Sequence, residues 1–371
     1  MLLRLGLSIP YSLVRTLGML RIAIIPGDGI GPEVMAETTP LLEWVRTRGR
    51  QIEWEIFPHG ADHFLTTGET LSNETFICIR DTFDAILFGA VGDPRVPDGR
   101  HAEEILLRLR KDLLLRVNQR PCAPILDRHV PLKGVAAAKI HIEVFRENTE
   151  GLYCLKGEST QHGATDFAIH TEAAVHCLLK AAFQRAETLG MPLTLAHKAN
   201  VLKHGHGLWM RVFRGLQLEF PAVRSSAMHA DALLCALVER PWDFGVIAAD
   251  NFIGDLISDL LAAFQGGMGI AASANLAVKH DPAFAGHPFR CTGLFEPVHG
   301  SAPDITGKGV ANPTGAMLCA VLMFRHLGWI KEAQDVETSI KKALQEGAAT
   351  RDLGGVLTTT EMGRALRAGL H

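Results

Sequence analysis

The sequence lacks several features that would assign it to a class at once. No run of about 18 apolar residues occurs, which excludes a membrane-spanning helix. Basic residues are not in excess, since 37 Lys and Arg oppose 40 Asp and Glu, and a formal charge of −3 excludes an electrostatic nucleic-acid binder. Internal repeats and low-complexity linkers are also absent. The chain of 371 residues, 47% hydrophobic and with 36 glycines, has the length of roughly two domains and is typical of a soluble globular enzyme.

Cysteine usage and the N-terminus bear on where the protein resides. The seven cysteines form no CxxC pair and no zinc-like spacing, and several lie within apolar runs. We therefore predict buried free thiols in a reducing cytoplasm. Residues 1–18 contain Arg4 and Arg15 but no acidic residue, so this segment is either a dispensable tail or an organellar presequence. We expect a cytoplasmic protein whose fold begins near Met19.

Apolar runs bounded by turn residues alternate with helical patterns along the chain. The runs predict strands at 22–25, 85–91, 139–145, 193–197 and 244–249. Apolar residues at a period of 3.6 predict a helix over 172–189, which Gly190 would end. A second helix, apolar on nearly every side, is predicted to begin with Asn312 as N-cap and Pro313 in its first position. This alternation predicts an α/β fold with a largely parallel sheet.

A glycine loop, PGDGIGPE at 26–33, follows the first predicted strand. It allows a Rossmann dinucleotide site, with Glu53 or Glu55 as the ribose acid, or simply a tight turn from strand to helix. The spacing is GxGxG, whereas the dinucleotide motif is GxGxxG. We therefore favour the tight turn.

Basic residues concentrate in the stretch LLRLRKDLLLRVNQRP, whose apolar setting favours partly desolvated guanidinium groups that bind carboxylates. A solvated helix face is the alternative for each of them taken singly. The candidates are Arg108, Arg110, Lys111, Arg116 and Arg120. Further along, RENTEGLY supplies Arg146 and Tyr153, and HKANVL places Lys198 at the end of a strand, where a lysine with a lowered pKa serves as a base.

Acidic residues cluster just past the last predicted strand, in DNFIGDLISD. Asp255 and Asp259 are four residues apart, so both carboxylates share one face of a helix and repel each other unless a cation lies between them. Oxygen ligands favour Mg²⁺ or Mn²⁺, with Asp231 as a further candidate ligand. A solvated pair of carboxylates is the alternative. Finally, residues 295–315 form a loop of small residues suited to a nucleotide, and its Asp304 would accept hydrogen bonds from ribose hydroxyls.

With these motifs, the chain resembles the β-decarboxylating dehydrogenases, which act on isopropylmalate, isocitrate, homoisocitrate or tartrate and D-malate. The resemblance runs from about Met19 to the C-terminus, on PGDGIGPEV, FGAVGDP, LRKDLLLRVNQRP, RENTEGLY, HKANVL, GDLISD and EPVHGSAPDITGKGVANPTGA in that order. It implies the two-lobed fold of that family instead of a conventional Rossmann domain. One lobe would combine 19–115 with 266–371 and bind the cofactor, and 116–265 would form the lobe for substrate, metal and dimerisation.

The resemblance also implies roles for particular residues. Tyr153 would be the catalytic acid and Lys198, supplied by the partner of a homodimer, the base. Three arginines would bind the substrate carboxylates, namely Arg110, Arg120 and Arg146. The metal, Mg²⁺ or Mn²⁺, would be held by Asp255 and Asp259 together with the partner's Asp231, which also contacts substrate. NAD would be bound by His299, Gly300, Ser301, Ala302, Asp304, Ile305 and Asn312.

The choice of substrate rests on the helix that precedes Arg110. Leu106 and Leu107 resemble the residues that meet the isopropyl group in the isopropylmalate branch, whereas homoisocitrate enzymes tend to have an arginine at the second position. A leucine cannot pair with a distal carboxylate, and burying an unpaired carboxylate is costly. The expected reaction is NAD-dependent oxidative decarboxylation of 3-isopropylmalate in leucine biosynthesis.

Other substrates stay open, because RENTEG and GAVGDPRVPD also occur in relatives that act on isocitrate, homoisocitrate or tartrate and D-malate. DNFIGD departs from the usual NLFGD, with Phe252 and Ile253 in place of Leu and Phe. A non-catalytic regulatory subunit would be expected to lack some of the lysine, tyrosine and metal aspartates, all of which are present. We therefore expect an enzyme.

Overall fold

The computed structural model describes residues 18–285 and 289–370, so the predicted tail or presequence lies outside the described residues except for Gly18. Its strands are β1 (Leu20–Gly27), β2 (Ile52–Ile56), β3 (Ala85–Ala90), β4 (Val117–Cys122), β5 (Ile142–Glu147), β6 (Gly151–Thr160), β7 (Gly163–Ile169), β8 (Leu193–His197), β9 (Ser225–His229), β10 (Val246–Ala249), β11 (Ala272–Leu276) and β12 (Gly293–Pro297).

The α-helices are α1 (Gly31–Thr38), α2 (Pro40–Thr47), α3 (Ala61–Thr67), α4 (Asn73–Thr82), α5 (Arg100–Ala102), α6 (Arg108–Asp112), α7 (Glu172–Leu189), α8 (Gly205–Glu219), α9 (Ala230–Glu239), α10 (Asn251–Phe264), α11 (Pro282–Ala285), α12 (Thr314–His326), α13 (Ile330–Gln345) and α14 (Thr359–Arg367). A π-helical segment, Glu103–Leu107, joins α5 to α6 without a break. Within the part of the chain that is described, no helix is both long and apolar enough to cross a membrane.

Ten strands form one sheet in the order β2-β1-β3-β12-β11-β4-β5-β10-β8-β9, and β6 and β7 form a separate antiparallel hairpin. Six neighbouring pairs of the large sheet are parallel. The three pairs at its centre, β12-β11, β11-β4 and β4-β5, are antiparallel. The predicted α/β fold with a largely parallel sheet is therefore confirmed, and the antiparallel centre distinguishes it from a conventional Rossmann domain.

Where the sequence has a strong local signal, the predicted helix or strand agrees with the structure. Helix α7 spans the predicted residues, because Thr171 caps its first turn and Gly190 adopts a left-handed conformation after its end. Strand β8 likewise agrees with its prediction. The strand predicted at 139–145 was shifted, since residues 137–139 form a 3₁₀ turn and β5 covers 142–147.

The start of α12 also differs from its prediction. The helix begins at Thr314 with Pro313 at the N-cap, one residue later than expected. Asn312 still accepts from the Thr314 N–H at 3.0 Å, so its side chain satisfies a donor of the first turn. As predicted, nearly the whole of α12 is buried between layers.

All seven cysteines are free, as predicted. Their predicted burial was only partly right: Cys78 and Cys235 are exposed and Cys154 is half-buried, whereas the other four are buried. Each exposed thiol lies on the solvent side of a helix that packs on the sheet through its other side.

The glycine loop packs closely against the loop that contains Ser301. Gly29 has a φ of +59°, and a Cβ atom there would overlap the carbonyl oxygen of Ser301. The carbonyl oxygen of Ser301 accepts a hydrogen bond of 2.8 Å from the N–H of Ile30. The glycines therefore allow the first strand-to-helix turn to touch the loop at residues 299–305, as the tight-turn interpretation requires.

We predict that Gly29→Ala lowers the free energy of unfolding by about 2 kcal/mol or more, because it adds a steric overlap to a left-handed backbone. Gly215→Ala is the matched control. Gly215 lies inside α8 with open space around it, so alanine should raise stability by up to about 1 kcal/mol. Urea denaturation measures both, and equal effects of the two substitutions would contradict the packing argument.

Candidate active site

Several charged side chains meet at one edge of the large sheet. Strands β5, β10, β8 and β9 are parallel neighbours, so their carboxyl ends lie at the same edge. Arg146 lies near the end of β5, and Asp250, Lys198 and Asp231 follow closely after β10, β8 and β9. The antiparallel strand β4 adds Arg120, which lies opposite Val144 of β5. Residues far apart in the sequence are thus brought to one edge, where α/β proteins bind ligands.

Asp255 is the centre of this group. Its Oδ1 accepts from Nη1 of Arg146 and, at 3.3 Å, from Nη1 of Arg120. Its Oδ2 accepts from the Tyr153 hydroxyl at 2.6 Å. The guanidinium of Arg146 also lies over the Tyr153 ring, 4.9 Å from its centroid. One carboxylate therefore connects two predicted substrate arginines with the predicted acid.

Asp259 lies one helical turn further along α10, as the spacing predicted. Its Oδ1 is 3.4 Å from the same Arg120 Nη1 that contacts Asp255, so both carboxylates share a face of the helix. Burial and the nearby charge of Asp255 raise the pKa of Asp259. Burial also favours a higher pKa for Asp255, but Arg146, the Tyr153 hydrogen bond and Arg120 outweigh it, and the pKa of Asp255 lies below its ordinary value.

The three predicted substrate arginines are all buried. Burial, together with the charge of Arg120, lowers the pKa of Arg146 to about 10, which leaves it protonated at neutral pH. Arg110 donates to Glu296 at 2.6 Å, and among the described residues its buried Nε has no hydrogen-bond partner. A buried guanidinium with an unused donor suits an anionic ligand.

Tyr153 keeps its proton firmly. Burial and the hydrogen bond to Asp255 raise the pKa of its hydroxyl. It also lines a cavity of about 920 Å³, together with Leu107, Glu104 and Asn148. Tyr153 therefore borders a space large enough for a small acid, and its hydroxyl stays in the protonated form that a general acid requires.

Lys198 and Asp231 form a separate pair. The Lys198 amine donates to Oδ1 of Asp231 at 2.7 Å, and this contact lowers the pKa of Asp231. Neither side chain hydrogen-bonds to Asp255 or Tyr153 within the described residues. Lys198 and Asp231 thus pair with each other, whereas hydrogen bonds connect Arg120, Arg146 and Tyr153 to the aspartates of α10.

The leucine pair lies in the π-helical segment, a feature frequent at functional sites. Leu107 is half-buried and lines the cavity beside Tyr153. Leu106 is also half-buried, but it packs against the apolar core cluster formed by β1, β3, α4 and α6. The two leucines thus have different surroundings, and Leu107 is the one that faces the cavity.

The predicted cofactor residues lie in the loop that meets the glycine turn. His299 is buried, and in the part of the chain described here its Nε2 has no partner. Ala302 has a φ of +42°, and the carboxylate of Asp304 is exposed. Asn312 is engaged within the chain, since its side chain bonds to Thr314 and Asp352. The remaining predicted positions, Gly300, Ser301 and Ile305, belong to the same loop.

The donor atoms fit the expected ligands. Two carboxylates on one helical face supply the oxygen donors that Mg²⁺ or Mn²⁺ prefers. An orphaned imidazole nitrogen and an exposed carboxylate beside a glycine-rich turn fit the adenosine part of a dinucleotide.

Sequence patterns missed a buried polar network behind the arginines. Asn275 donates to Glu296 at 2.8 Å and accepts from Asn118 at 2.7 Å and from Asn148 at 2.9 Å. It links the antiparallel strands at the centre of the sheet and fixes the carboxylate that pairs with Arg110. The available signal was Asn118 beside the basic residues of 108–120 and Asn275 within the short run ASANL at 272–276.

Comparison with known proteins is consistent across sequence and structure. Residues 21–366 match the model of the isocitrate/isopropylmalate dehydrogenase family. The chain is 41% identical over 350 residues to the 3-isopropylmalate dehydrogenase of Thermobifida fusca, covering 92% of this chain and 95% of the relative. It is 40% identical over 358 residues to that of Corynebacterium urealyticum, covering 95% and 100%.

Solved structures agree in fold. Isocitrate dehydrogenase from Methylococcus capsulatus superposes with a TM-score of 0.84 at 30% identity, covering 95% of this chain and 99% of that one. A β-decarboxylating dehydrogenase from Thermococcus kodakarensis, in its apo form, gives a TM-score of 0.76 at 32% identity, covering 95% and 96%.

We predict that the two aspartates of α10 differ in their effect on stability at neutral pH without divalent cations. Asp255→Asn should lower the free energy of unfolding by about 2 kcal/mol, because it leaves the buried Arg146 without its counter-charge and Arg120 with only Asp259. Asp259→Asn should stay within about 0.5 kcal/mol of the parent, since it removes repulsion between carboxylates.

Urea denaturation across pH tests this. The pKa of Asp255 is depressed in the folded chain, so its contribution is present above its unfolded pKa and is lost as pH falls through the folded pKa. The difference in the free energy of unfolding between the parent and Asp255→Asn should therefore become smaller as the pH is lowered. A gap that is constant with pH, or equal losses from both variants, would contradict the central role of Asp255.

Proposed function

Because the chain belongs to the isocitrate/isopropylmalate dehydrogenase family and is a β-decarboxylating dehydrogenase, we propose that it oxidises and decarboxylates 3-isopropylmalate to 4-methyl-2-oxopentanoate. The reaction would use NAD and Mg²⁺ or Mn²⁺, and it belongs to leucine biosynthesis. The observation that carries this choice of substrate is Leu107, an apolar side chain that lines the same cavity as Tyr153. The names of the curated relatives support the same choice.

The substrate is a 2-hydroxy dicarboxylic acid, and the site supplies the charges to hold one. Arg110 would offer its unused Nε, and Arg120 and Arg146 would transfer hydrogen bonds from Asp255 to the incoming carboxylates. Leu107 would contact the isopropyl group. Substitution of a carboxylate for that group would bury a charge against leucine without a partner, which is costly.

The proposed chemistry divides proton transfers between two residues. Lys198 would take the proton of the substrate hydroxyl, and NAD, when bound, would supply the acceptor for the hydride of the same carbon. Tyr153, held protonated by burial and by Asp255, returns a proton to carbon after CO₂ has left. A divalent cation at Asp255, Asp259 and Asp231 would lower the pKa of the hydroxyl and stabilise the negative charge that decarboxylation leaves on oxygen.

A homodimer with shared active sites would bring the two halves of this machinery together. Lys198 and Asp231 lie apart from the aspartates of α10 within one chain, so both would serve the site of a partner. Large apolar side chains are exposed around them and along the β6–β7 hairpin: Leu152, Leu155, Phe167, Val201, Leu202, Val238, Phe252 and Leu256. An isolated hairpin of this kind needs packing against another surface to be stable.

The order of strands supports the proposed division into lobes. Strands from 20–90 and 272–297 form one half of the large sheet, and strands from 117–249 form the other. The first half, with residues 19–115 and 266–371, would bind NAD at the 299–312 loop. The second, 116–265, would contribute substrate, metal and dimer contacts. The free cysteines fit a reducing cytoplasm, where we place the enzyme.

We predict that the protein with Mn²⁺ and NAD produces NADH fastest with 3-isopropylmalate when compared with D-malate, tartrate, isocitrate and homoisocitrate. Leu107→Ser should lower kcat/KM for 3-isopropylmalate by about 10–100-fold, because it removes apolar contact with the branched group. D-malate lacks that group, so its kcat/KM on the same variant is the control and should change far less. Preference of the parent for any other acid would overturn the choice of substrate.

We predict that two inactive variants restore activity when their subunits are mixed. Lys198→Ala and Asp255→Asn each lack one half of the shared site. Refolding them together in equal amounts should give about one quarter of the parental activity, since half the dimers are mixed and each has one intact site of two. No recovery, in mixtures shown to exchange subunits, would mean that each chain has a complete site of its own.

A further inference from the structure

A hydrogen-bonded chain runs from the loop of Lys198 to the first turn of α10. The Lys198 backbone N–H donates to Nδ1 of His206 at 2.9 Å, and Nε2 of His206 lies 3.0 Å from Oδ2 of Asp250. The other oxygen of Asp250 accepts from the Ile253 N–H at 2.7 Å and caps the helix. His206 and Asp250 are both buried. The chain therefore joins the predicted base to the helix that carries Asp255.

The partners of His206 determine its tautomer. A backbone N–H can only donate, so Nδ1 presents its lone pair to Lys198 and the neutral ring carries its proton on Nε2. That N–H in turn donates to Asp250, whose carboxylate accepts from both sides. Every donor of the chain meets one acceptor, and the backbone N–H of Lys198 fixes the direction of both bonds of His206.

His206, Asp250 and His170 also lie close enough together to suggest a metal site. However, Trp209 Nε1 donates to Nδ1 of His170 at 3.2 Å, and an indole N–H only donates. The proton of the neutral His170 ring therefore lies on Nε2, as in His206. While these bonds persist, neither imidazole has a free lone pair for a cation. The cluster instead holds the Lys198 backbone and the indole of Trp209 by hydrogen bonds.

We propose that His206 is a positioning residue, which holds Lys198 through its backbone N–H where the amine acts as base. This inference rests on the proposed function. Lys198 begins an exposed loop, in which its carbonyl accepts from the N–H groups of Val201 and Leu202. The buried imidazole fastens the start of this loop to the capped first turn of α10, which itself packs against β5.

Three substitutions separate the two bonds of His206. His206→Ala removes both. His206→Asn keeps an acceptor near the position of Nδ1 and loses the bond to Asp250. Asp250→Asn preserves the helix cap, for which asparagine is as good as aspartate. Its amide group would face Nε2–H of His206 donor to donor, forcing the proton to Nδ1 and against the Lys198 N–H.

We expect His206→Ala and Asp250→Asn to lower kcat by about 10–100-fold with little change in KM. His206→Asn should restore kcat to within about threefold of the parent. In a Lys198→Met background, His206→Ala should cost nothing further, since it acts only through the amine. If His206→Ala lowers kcat equally in the Lys198→Met background, or if His206→Asn does not restore kcat, the role of His206 is merely structural and the proposal is overturned.

The tautomer is tested without activity. Imidazole ¹⁵N chemical shifts of the full-length unliganded protein, with His206→Asn used to assign the signal, should show His206 neutral with Nδ1 unprotonated. The opposite tautomer would overturn the proposal. If the parent oxidises none of the five acids, the proposed function fails, whereas the expected tautomer in the parent and its reversal in Asp250→Asn would still establish the link from His206 to Lys198.

Discussion

Buried guanidinium groups constrain everything around the site. Arg110, Arg120 and Arg146 are removed from water, and such groups are stable only when anions face them. Asp255 and Glu296 supply those anions in the unliganded chain. In the proposed function substrate carboxylates would take over these contacts, and Arg120 and Arg146 are already fixed for that role by Asn118, Asn251 and Ser258. Binding of the acid would therefore cost little conformational entropy in these two long side chains.

The same constraint explains why Asp255 and Asp259 behave differently. Arg146 and Arg120 lower the pKa of Asp255 in spite of its burial, whereas burial and the nearby charge of Asp255 raise the pKa of Asp259. Two equivalent carboxylates would either both be neutralised by arginine or both be exposed. Their inequality leaves Asp255 paired with arginines and Asp259 with less compensating positive charge.

Features with local causes could be predicted from the sequence. A capped apolar face fixed α7, and an uninterrupted apolar run fixed β8. Strand β4 could not be found within its basic stretch, since Arg120 is buried only through pairing with β5 and contact with α10, both distant in sequence. The carboxylate spacing on α10 was visible, but the network of Asn275 and Glu296 depends on the antiparallel pairing of β11, β12 and β4. Non-local pairing has no periodic signature, so motifs indicated which residues meet but not what supports them.

The separation of Lys198 from Asp255 gives the hydrogen-bonded chain at His206 its significance. In the proposed dimer, the lysine of one subunit serves a site whose carboxylates belong to the other. Asp250 caps α10, the helix that carries Asp255 and Asp259 of the same subunit. Through His206 it also holds Lys198, which that subunit would contribute to the site of its partner. In each subunit, the single buried Asp250 would therefore position both the aspartates of α10, which serve its own site, and Lys198, which serves the other site. In that dimer, a shift of α10 on ligand binding in one site would reach the base of the other site through the two hydrogen bonds of His206.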